Sequence, residues 1–332
     1  MLKSIYYNPG TGKSIPIIIK KGKYKEYINV KKSNIIIYDK KIKLIDELNL
    51  SNSISVIGNE NLKSFDKYLS LIMKLSDKNI KNVVIVGGYS VIDLLGYTME
   101  SFERRNEYIY FPSTLQSAIM PPLRGKYYLN FNWKKDFLVQ KGYPDAIIID
   151  TTFFESLSPQ ELKKGFVIPY LLGRVLNSRI SKIALNYSKL NFSDIDLEEF
   201  IYYSLKQWVY YIENESKVFP GENIIKLFYN KKTGINRNFL DIFGLSFLIE
   251  LYMSWYFGFL EYELFEEIKK ELIENFDIQY KNIEYLNFDE ANFNNEFVLF
   301  TSSGRIINYK TTYDELNIVL KEIKNHFRGG FL

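Results

Sequence analysis

The chain has no cysteine, a single histidine at position 326 and no long apolar run. Without cysteine there is no disulfide framework and no thiolate metal site. One imidazole is too few for the usual catalytic zinc or iron centre, which draws on two or more, so only carboxylates remain as ligands. An excess of one charge is also missing. The 43 Lys and Arg against 39 Asp and Glu leave a formal charge of +4 over 332 residues. The lysines are scattered rather than gathered into a basic stripe, which argues against a nucleic-acid partner. No run approaches the ~18 apolar residues of a membrane span. The opening MLKSIYYNPGTGKS has no apolar stretch of the kind an export signal carries. The expectation is a cytoplasmic protein with no membrane partner.

What is present is an ordinary globular composition, 46% apolar and 25% charged, with an unusual 27 Tyr and 25 Phe. The length suits two domains. Apolar runs at 16–20, 34–38, 53–57, 83–86, 108–111 and 146–149 read as buried strands. The spacing of Leu62, Phe65, Leu69, Ile72 and Met73 predicts a helix from about Ser64 that buries this face. Strands alternating with helices predict a mostly parallel sheet. After Asp150 the pattern turns helical. Ser158 with Glu161 forms a capping box around Pro159, and Ser193 with Asp196 and Thr312 with Glu315 mark further helix starts. Leu264, Phe265, Ile268 and Leu272 mark another helix, and 297–300 with 306–309 a hairpin. The predicted division is an α/β nucleotide-binding type of domain over 1–155 and a mostly helical domain over 156–332.

Gly10-Thr11-Gly12-Lys13-Ser14 resembles a phosphate loop, but Tyr7 stands where that motif needs glycine, and a strand follows where a helix should. It reads as a turn. Gly87-Gly88 is more telling, because it closes the strand at 83–86 and opens a helix. Such a junction offers backbone N–H groups to an anion, although turn geometry alone also calls for glycine there.

The stretches GGYSVIDLLGY at 87–97, FPSTLQSAIMPPLRGKYYLNFNWKKDF at 111–137, YPDAIIID at 143–150 and LSPQELKKG at 157–165 resemble the 3-dehydroquinate synthase family. So do IGNENLKS at 57–64 and the hairpin at 297–309. The resemblance implies an α/β Rossmann-like domain followed by a helical one. It implies an NAD-dependent cyclisation in the shikimate pathway, in which a keto-sugar phosphate loses phosphate while a divalent metal polarises the oxygen being oxidised.

Carried over by position, the resemblance puts Glu60, Lys63, Gly87, Gly88, Asp93, Ser113 and Thr114 on the cofactor. Arg104, Lys126, Asn130 and Lys135 fall on the substrate and its phosphate, Arg104 reaching across a homodimer. Tyr89 replaces a third glycine of the loop, which weakens the expected NAD site. The chemical residues are replaced: Ile168 for the metal-binding Glu, Leu171 for the lysine beside it and Met120 for an acid. The region 239–250, where two histidine ligands are expected, reads FLDIFGLSFLIE. His326, in a cationic stretch at a helix end, reads as a surface residue. The expectation is therefore a family member without a metal, whose synthase activity is impaired. It would bind a small phosphorylated ligand or a protein partner, and an active cyclase with an unusual site is the alternative.

Overall fold

A computed structural model describes residues 2–28, 34–48, 50–76, 78, 80–102, 107–176, 178–190, 194–215, 218–229, 238–286 and 295–328. The chain divides into two compact units, Met1–Leu162 with Phe192–Val209, and Lys163–Asn191 with Tyr210–Leu332. The fold is an α/β Rossmann-like domain followed by a mostly helical one.

In chain order the first unit contributes β1 (Lys3–Tyr7), β2 (Ile15–Ile19), α1 (Lys25–Ile28), β3 (Asn34–Asp39), α2 (Lys43–Asp46) and β4 (Ser53–Val56). A 3₁₀ turn at Glu60–Lys63 leads into α3 (Phe65–Ser76), followed by β5 (Asn82–Gly87), α4 (Tyr89–Glu100), β6 (Glu107–Pro112) and α5 (Leu115–Ile119). The hairpin β7 (Lys126–Phe131) and β8 (Lys134–Lys141) precedes β9 (Ala146–Ile149). Seven strands form one sheet in the order β1-β2-β9-β6-β5-β3-β4, and every pairing except β1 with β2 is parallel. The runs read as strands in the sequence are β2 to β6 and β9. Their apolar residues occur on both faces because helices cover both sides of such a sheet. Tyr24, Ile36, Tyr38, Val84, Val86, Phe111, Ile148 and Phe153 make one core cluster. Parallel strands share one carboxyl edge, so Gly87, Pro112 and Asp39 end together, where ligands of such sheets bind.

The Gly10–Ser14 segment is the turn between β1 and β2, with Gly10 and Gly12 at φ of 76° and 80°. Helix α3 corrects the expected face. It buries Leu71 and Leu75 and exposes Phe65, Leu69 and Met73. Apolar residues recur around this helix, so spacing alone did not single out the stripe that is buried.

The remaining helices are α6 (Pro159–Gly165), α7 (Val167–Val175), α8 (Ile180–Tyr187), α9 (Leu197–Asn214), α10 (Glu222–Leu227), α11 (Phe239–Tyr256), α12 (Tyr262–Phe276) and α13 (Tyr313–Arg328). The hairpin β10 (Glu296–Phe300) and β11 (Ile306–Lys310) lies before α13. The capping boxes close as expected. Ser158 N donates to Glu161 at 2.9 Å and Glu161 N to Ser158 Oγ at 3.2 Å, and Thr312 and Glu315 do the same. Ser193 lies outside the described residues, and Asp196 accepts from Glu199 N at 3.0 Å.

Helix α11 corrects the reading of the longest apolar stretch. By length and composition it is apolar enough to cross a membrane, yet most of it is buried inside the protein, as a core helix is. His326 is also less exposed than its position implied. It packs among the rings of Tyr252, Tyr262 and Phe265 on α11 and α12, with Nε2 3.2 Å from Glu266 Oε1.

Candidate functional site

The hairpin β7–β8 brings a cluster of charge against α4 and the turn at Glu60–Lys63. Asn59 caps that turn by accepting from Leu62 N, which directs Glu60 and Lys63 to the same side. Lys63 Nζ lies 2.7 Å from Asp93 Oδ2 and also bonds Asp136. Lys135 Nζ lies 2.7 Å from Glu60 Oε1 and 3.7 Å from Asp136 Oδ1. Asn130 ties the group to the backbone. Its Nδ2 donates to Glu60 O at 3.0 Å and to Glu60 Oε2 at 3.2 Å, and its Oδ1 accepts from Asp136 N at 2.9 Å. Asp93 Oδ1 accepts from Tyr128 N at 3.3 Å. Two ammonium groups thus face three carboxylates, and Lys63, Asp93, Asn130 and Lys135 are buried.

The electrostatics follow from burial set against pairing. Burial alone would lower Lys63, but Asp136, Asp93 and Glu60 outweigh it and hold the ammonium well above the ordinary lysine range. Burial likewise pushes Glu60 up, and Lys63 with Lys135 more than offset this, so it stays below the usual carboxylate range. Asp93 is the exception. Burial lifts it to about 6 in spite of Lys63.

A second group of expected residues lies at the carboxyl ends of β5 and β6. Gly87 closes β5, and its carbonyl accepts from Ser113 N at 3.0 Å and Tyr110 Oη at 2.9 Å. Gly88 is the N-cap of α4 and brings no side chain to that position. A Cβ there would lie 3.3 Å from Thr114 Cγ2, a tight contact that the threonine side chain would have to relieve by shifting. Thr114 caps α5 through a box with Ser117. The Tyr89 hydroxyl donates to the Met120 carbonyl at the end of α5. The ring therefore spans the gap between the glycine turn and the Met120 turn, and burial holds the hydroxyl well above the ordinary tyrosine range.

The structure thus joins Glu60, Lys63, Asp93, Asn130 and Lys135 in one network, and Gly87, Gly88, Ser113 and Thr114 around one pair of strand ends. Lys126 opens β7 with its side chain exposed. Arg104 lies outside the described residues. Sequence reasoning missed Asp136, whose φ of 53° places it in the left-handed region within an irregular hairpin. Nothing in Lys-Lys-Asp signals that turn. It also missed Asp39 at the end of β3, which accepts from Gly58 N at 3.2 Å and Lys41 N at 3.1 Å. An acid directly after an apolar strand was the available signal.

In the helical unit, Ile168 and Leu171 are fully buried on α7. Asp241 on α11 pairs with Lys164 at 2.8 and 3.0 Å. Glu250, also on α11, is fully buried and accepts from Gly221 N at 2.6 Å and Val298 N at 3.5 Å. Burial pushes it well above the usual carboxylate range, and the two N–H groups offset this only in part.

Residues 53–164 match the 3-dehydroquinate synthase N-terminal family. The 3-dehydroquinate synthase of Saccharolobus solfataricus is 28% identical over 221 residues, covering 64% of this chain and 62% of the relative. That of Dictyoglomus turgidum is 27% identical over 238 residues, covering 67% and 66%. The chain therefore spans somewhat less than two thirds of the length of these relatives. Among solved structures, 2-deoxy-scyllo-inosose synthase with carbaglucose-6-phosphate, NAD+ and Co2+ superposes with a TM-score of 0.73 at 14% identity, covering 96% of this chain and 99% of the other. The 2-epi-5-epi-valiolone synthase ValA of Streptomyces hygroscopicus, with NAD+ and Zn2+ bound, gives 0.69 at 12% identity, covering 98% and 99%. Those likenesses speak to the fold, while the sequence matches speak to descent: residues 53–164 carry the match to the 3-dehydroquinate synthase N-terminal family, and the relatives that the chain resembles beyond them are 3-dehydroquinate synthases.

Proposed function

We propose that this chain is a cytoplasmic, catalytically degenerate member of its family, which binds a nucleotide or small phosphorylated ligand in its first unit and does not make 3-dehydroquinate at a useful rate. The observation that carries this reading is the state of the two acids on α11. Asp241 is held by Lys164, and Glu250 is turned to the backbone of Gly221 and Val298 with its proton favoured. Ile168 and Leu171 stand buried where a ligand and a lysine are expected, and Met120 is buried where an acid is expected. An aspartate held by a lysine and a fully buried glutamate turned to two backbone N–H groups, its pKa pushed up by burial, do not fit a divalent metal, so no step is routed through one.

The residues of the first unit fit NAD better. Gly87 and Gly88 leave the start of α4 open to a pyrophosphate, with Tyr89 narrowing the approach. Bound there, the nicotinamide would supply reversible removal of hydride from an alcohol. The chain's own part would be to hold the ligand and exclude water, because the described residues at the expected positions, Met120, Ile168 and Leu171, offer no charge in place of the metal. That stabilisation is worth several kcal/mol. At about 1.4 kcal/mol per tenfold, its loss slows the step by a few orders of magnitude.

Expression in a bacterial strain lacking its own synthase, on medium without aromatic amino acids, is expected to give no growth, and the dialysed protein is expected to hold no stoichiometric zinc, cobalt or iron. Growth together with one tightly held metal per chain would overturn the reading. One observation favours the alternative, an active cyclase with an unusual site: Glu60, Lys63, Asp93, Asn130 and Lys135 stand together in a single network.

The homodimer implied by the resemblance belongs to the same reading. Supporting it is an exposed aromatic face on the first unit, where Phe131 stacks on Phe137 at 6.2 Å and meets Phe65 edge-on at 6.3 Å. Light scattering is expected to show a dimer that Phe131→Ser with Phe137→Ser converts to a monomer.

A further inference from the structure

The outer strand of the sheet carries a feature that the proposed ligand site does not use. Among the described residues β4 pairs only with β3, so its other edge is without a neighbouring strand. Four consecutive residues of this segment, Ile54 to Ile57, line a cleft of about 440 Å³. Consecutive residues of a strand point to opposite faces, so a cleft that touches all four runs along the backbone edge rather than over one face. The opposite wall is α3, which contributes Lys67, Leu71 and Lys74 at the four- and seven-residue spacing of one helical face. Leu62 and Leu94 add to an apolar floor, and Ile57 is 59% exposed. Lys40 completes a rim of three lysines, and no acid is among the lining residues. None of the three forms an ion pair among the described residues.

We propose that the cleft between β4 and α3 is a docking groove for an extended, acidic segment of a partner protein, which adds as a strand to the β4 edge. An open edge beside a helix is the arrangement by which peptides join a sheet: main-chain hydrogen bonds hold the segment, and alternate side chains meet the pockets. In this groove one set of side chains would rest on Ile54, Val56 and Leu71, and the other would reach the three ammonium groups. Charge selects the occupant. A lysine-rich segment, or a second copy presenting this same lysine-rimmed edge, would meet like charge across the groove, whereas glutamate or aspartate meets the opposite charge. The groove borders the Glu60–Lys63 turn through Asn59, Asn61 and Leu62 but is lined by none of Glu60, Lys63, Asp93, Lys135 and the Gly87-Gly88 turn, so the proposal does not depend on the ligand reading above.

The test uses the full chain and a fluorescein-labelled nonapeptide of alternating Glu and Val, read by anisotropy. Controls are the matching Lys and Val peptide, the acidic peptide N-methylated at its central residues, and octanoate as a small apolar acid. Saturable binding of the acidic peptide alone is expected, with slower hydrogen exchange at residues 53–57 in its presence. Lys67→Glu with Lys74→Glu, both on the surface, is expected to weaken binding at least tenfold while leaving the melting temperature within a few degrees. Equal binding of the Lys and Val peptide would remove the charge argument. Equal binding of the N-methylated peptide, displacement by octanoate at matching concentration, or protection away from 53–57 would each overturn strand addition. Unchanged affinity in the double variant would overturn the groove itself.

Discussion

The two units bury carboxylates in opposite ways. In the first, Glu60, Asp93 and Asp136 are enclosed with Lys63 and Lys135, and each acid has an ammonium within 2.7 Å or closer. In the second, Glu250 is enclosed with two backbone N–H groups and, among the described residues, no cation at salt-bridge distance. Taking a carboxylate out of water costs several kcal/mol, and a protein can offset this with an opposite charge or escape it by keeping the proton. The first solution preserves charge, and with it a use in binding. The second favours giving it up, because burial raises the Glu250 pKa, and leaves a packed hydrogen-bonding link between α11, the turn before α10 and β10. The difference matches the proposed division of labour, a ligand-holding unit and a unit whose helix has become core.

The comparison is broken most severely at Lys63. Lys63→Met leaves Asp93 and Asp136 buried or half-buried with one cation fewer, and removing one partner of such a group costs about 3–5 kcal/mol. Urea unfolding of the full chain at pH 7.5 is expected to show that loss, with hydrogen exchange fastest in β7–β8, which the network ties to α4. The loss should shrink near pH 5, because Asp93 already stands at about 6 and takes up a proton there. A penalty independent of pH would mean that Lys63 acts by packing rather than by charge.

How much of this was legible in the sequence depends on the range of the forces involved. β5 and its Gly87-Gly88 ending could be read because four β-branched residues in a row followed by two glycines leave few local alternatives. The capping boxes at Ser158 and Thr312 were equally local. Glu60, Lys63, Asp93, Asn130 and Lys135 were each singled out, but only as positions resembling a family. That they would bond one another depends on a hairpin and α4 folding onto the Glu60–Lys63 turn, contacts across 30 to 75 residues of chain. Asp136 escaped because its role rests on a positive φ, and the outward turn of Phe65, Leu69 and Met73 escaped because apolar spacing on α3 fits more than one face. The strand β1 escaped as well, since Lys-Ser-Ile-Tyr-Tyr is held as a strand mainly by its pairing with β2.

Glu250 sharpens the comparison through pH. Its folded-state pKa is raised above the ordinary glutamate value of 4.5. Below that value folded and unfolded chains both hold the proton, and the buried acid costs nothing extra. As pH rises the unfolded chain releases its proton while the folded chain keeps it, so stability falls by at most about 1.4 kcal/mol per pH unit until the folded pKa is reached. Glu250→Gln keeps an acceptor for Gly221 N and cannot ionise, although its amide would face Val298 N. The variant is expected to be slightly less stable than the wild type at pH 4.5 and to overtake it by pH 8. Parallel stability curves over that range would show that Glu250 is ionised in the folded state and that the contrast between the units is wrong.

The smallest expected effect belongs to Tyr89, where the buried polar group is neutral in both states. Its hydroxyl donates to the Met120 carbonyl, so Tyr89→Phe removes one hydrogen bond and leaves a carbonyl with one donor fewer, at about 0.5–1.5 kcal/mol. Burial holds the hydroxyl well above the ordinary tyrosine range, so the loss should not vary between pH 5 and 8, unlike those at Lys63 and Glu250. The ring carries the second consequence. It spans from the start of α4 to the end of α5, across the approach to Gly88, and the phenylalanine variant keeps it there. Calorimetry is therefore expected to find NAD affinity unchanged in Tyr89→Phe and raised in Tyr89→Gly, which clears the approach while giving up the tie to Met120. Equal affinity in both variants would mean that the ring does not obstruct the glycine turn, and that weak NAD binding, if observed, has its cause elsewhere in the first unit.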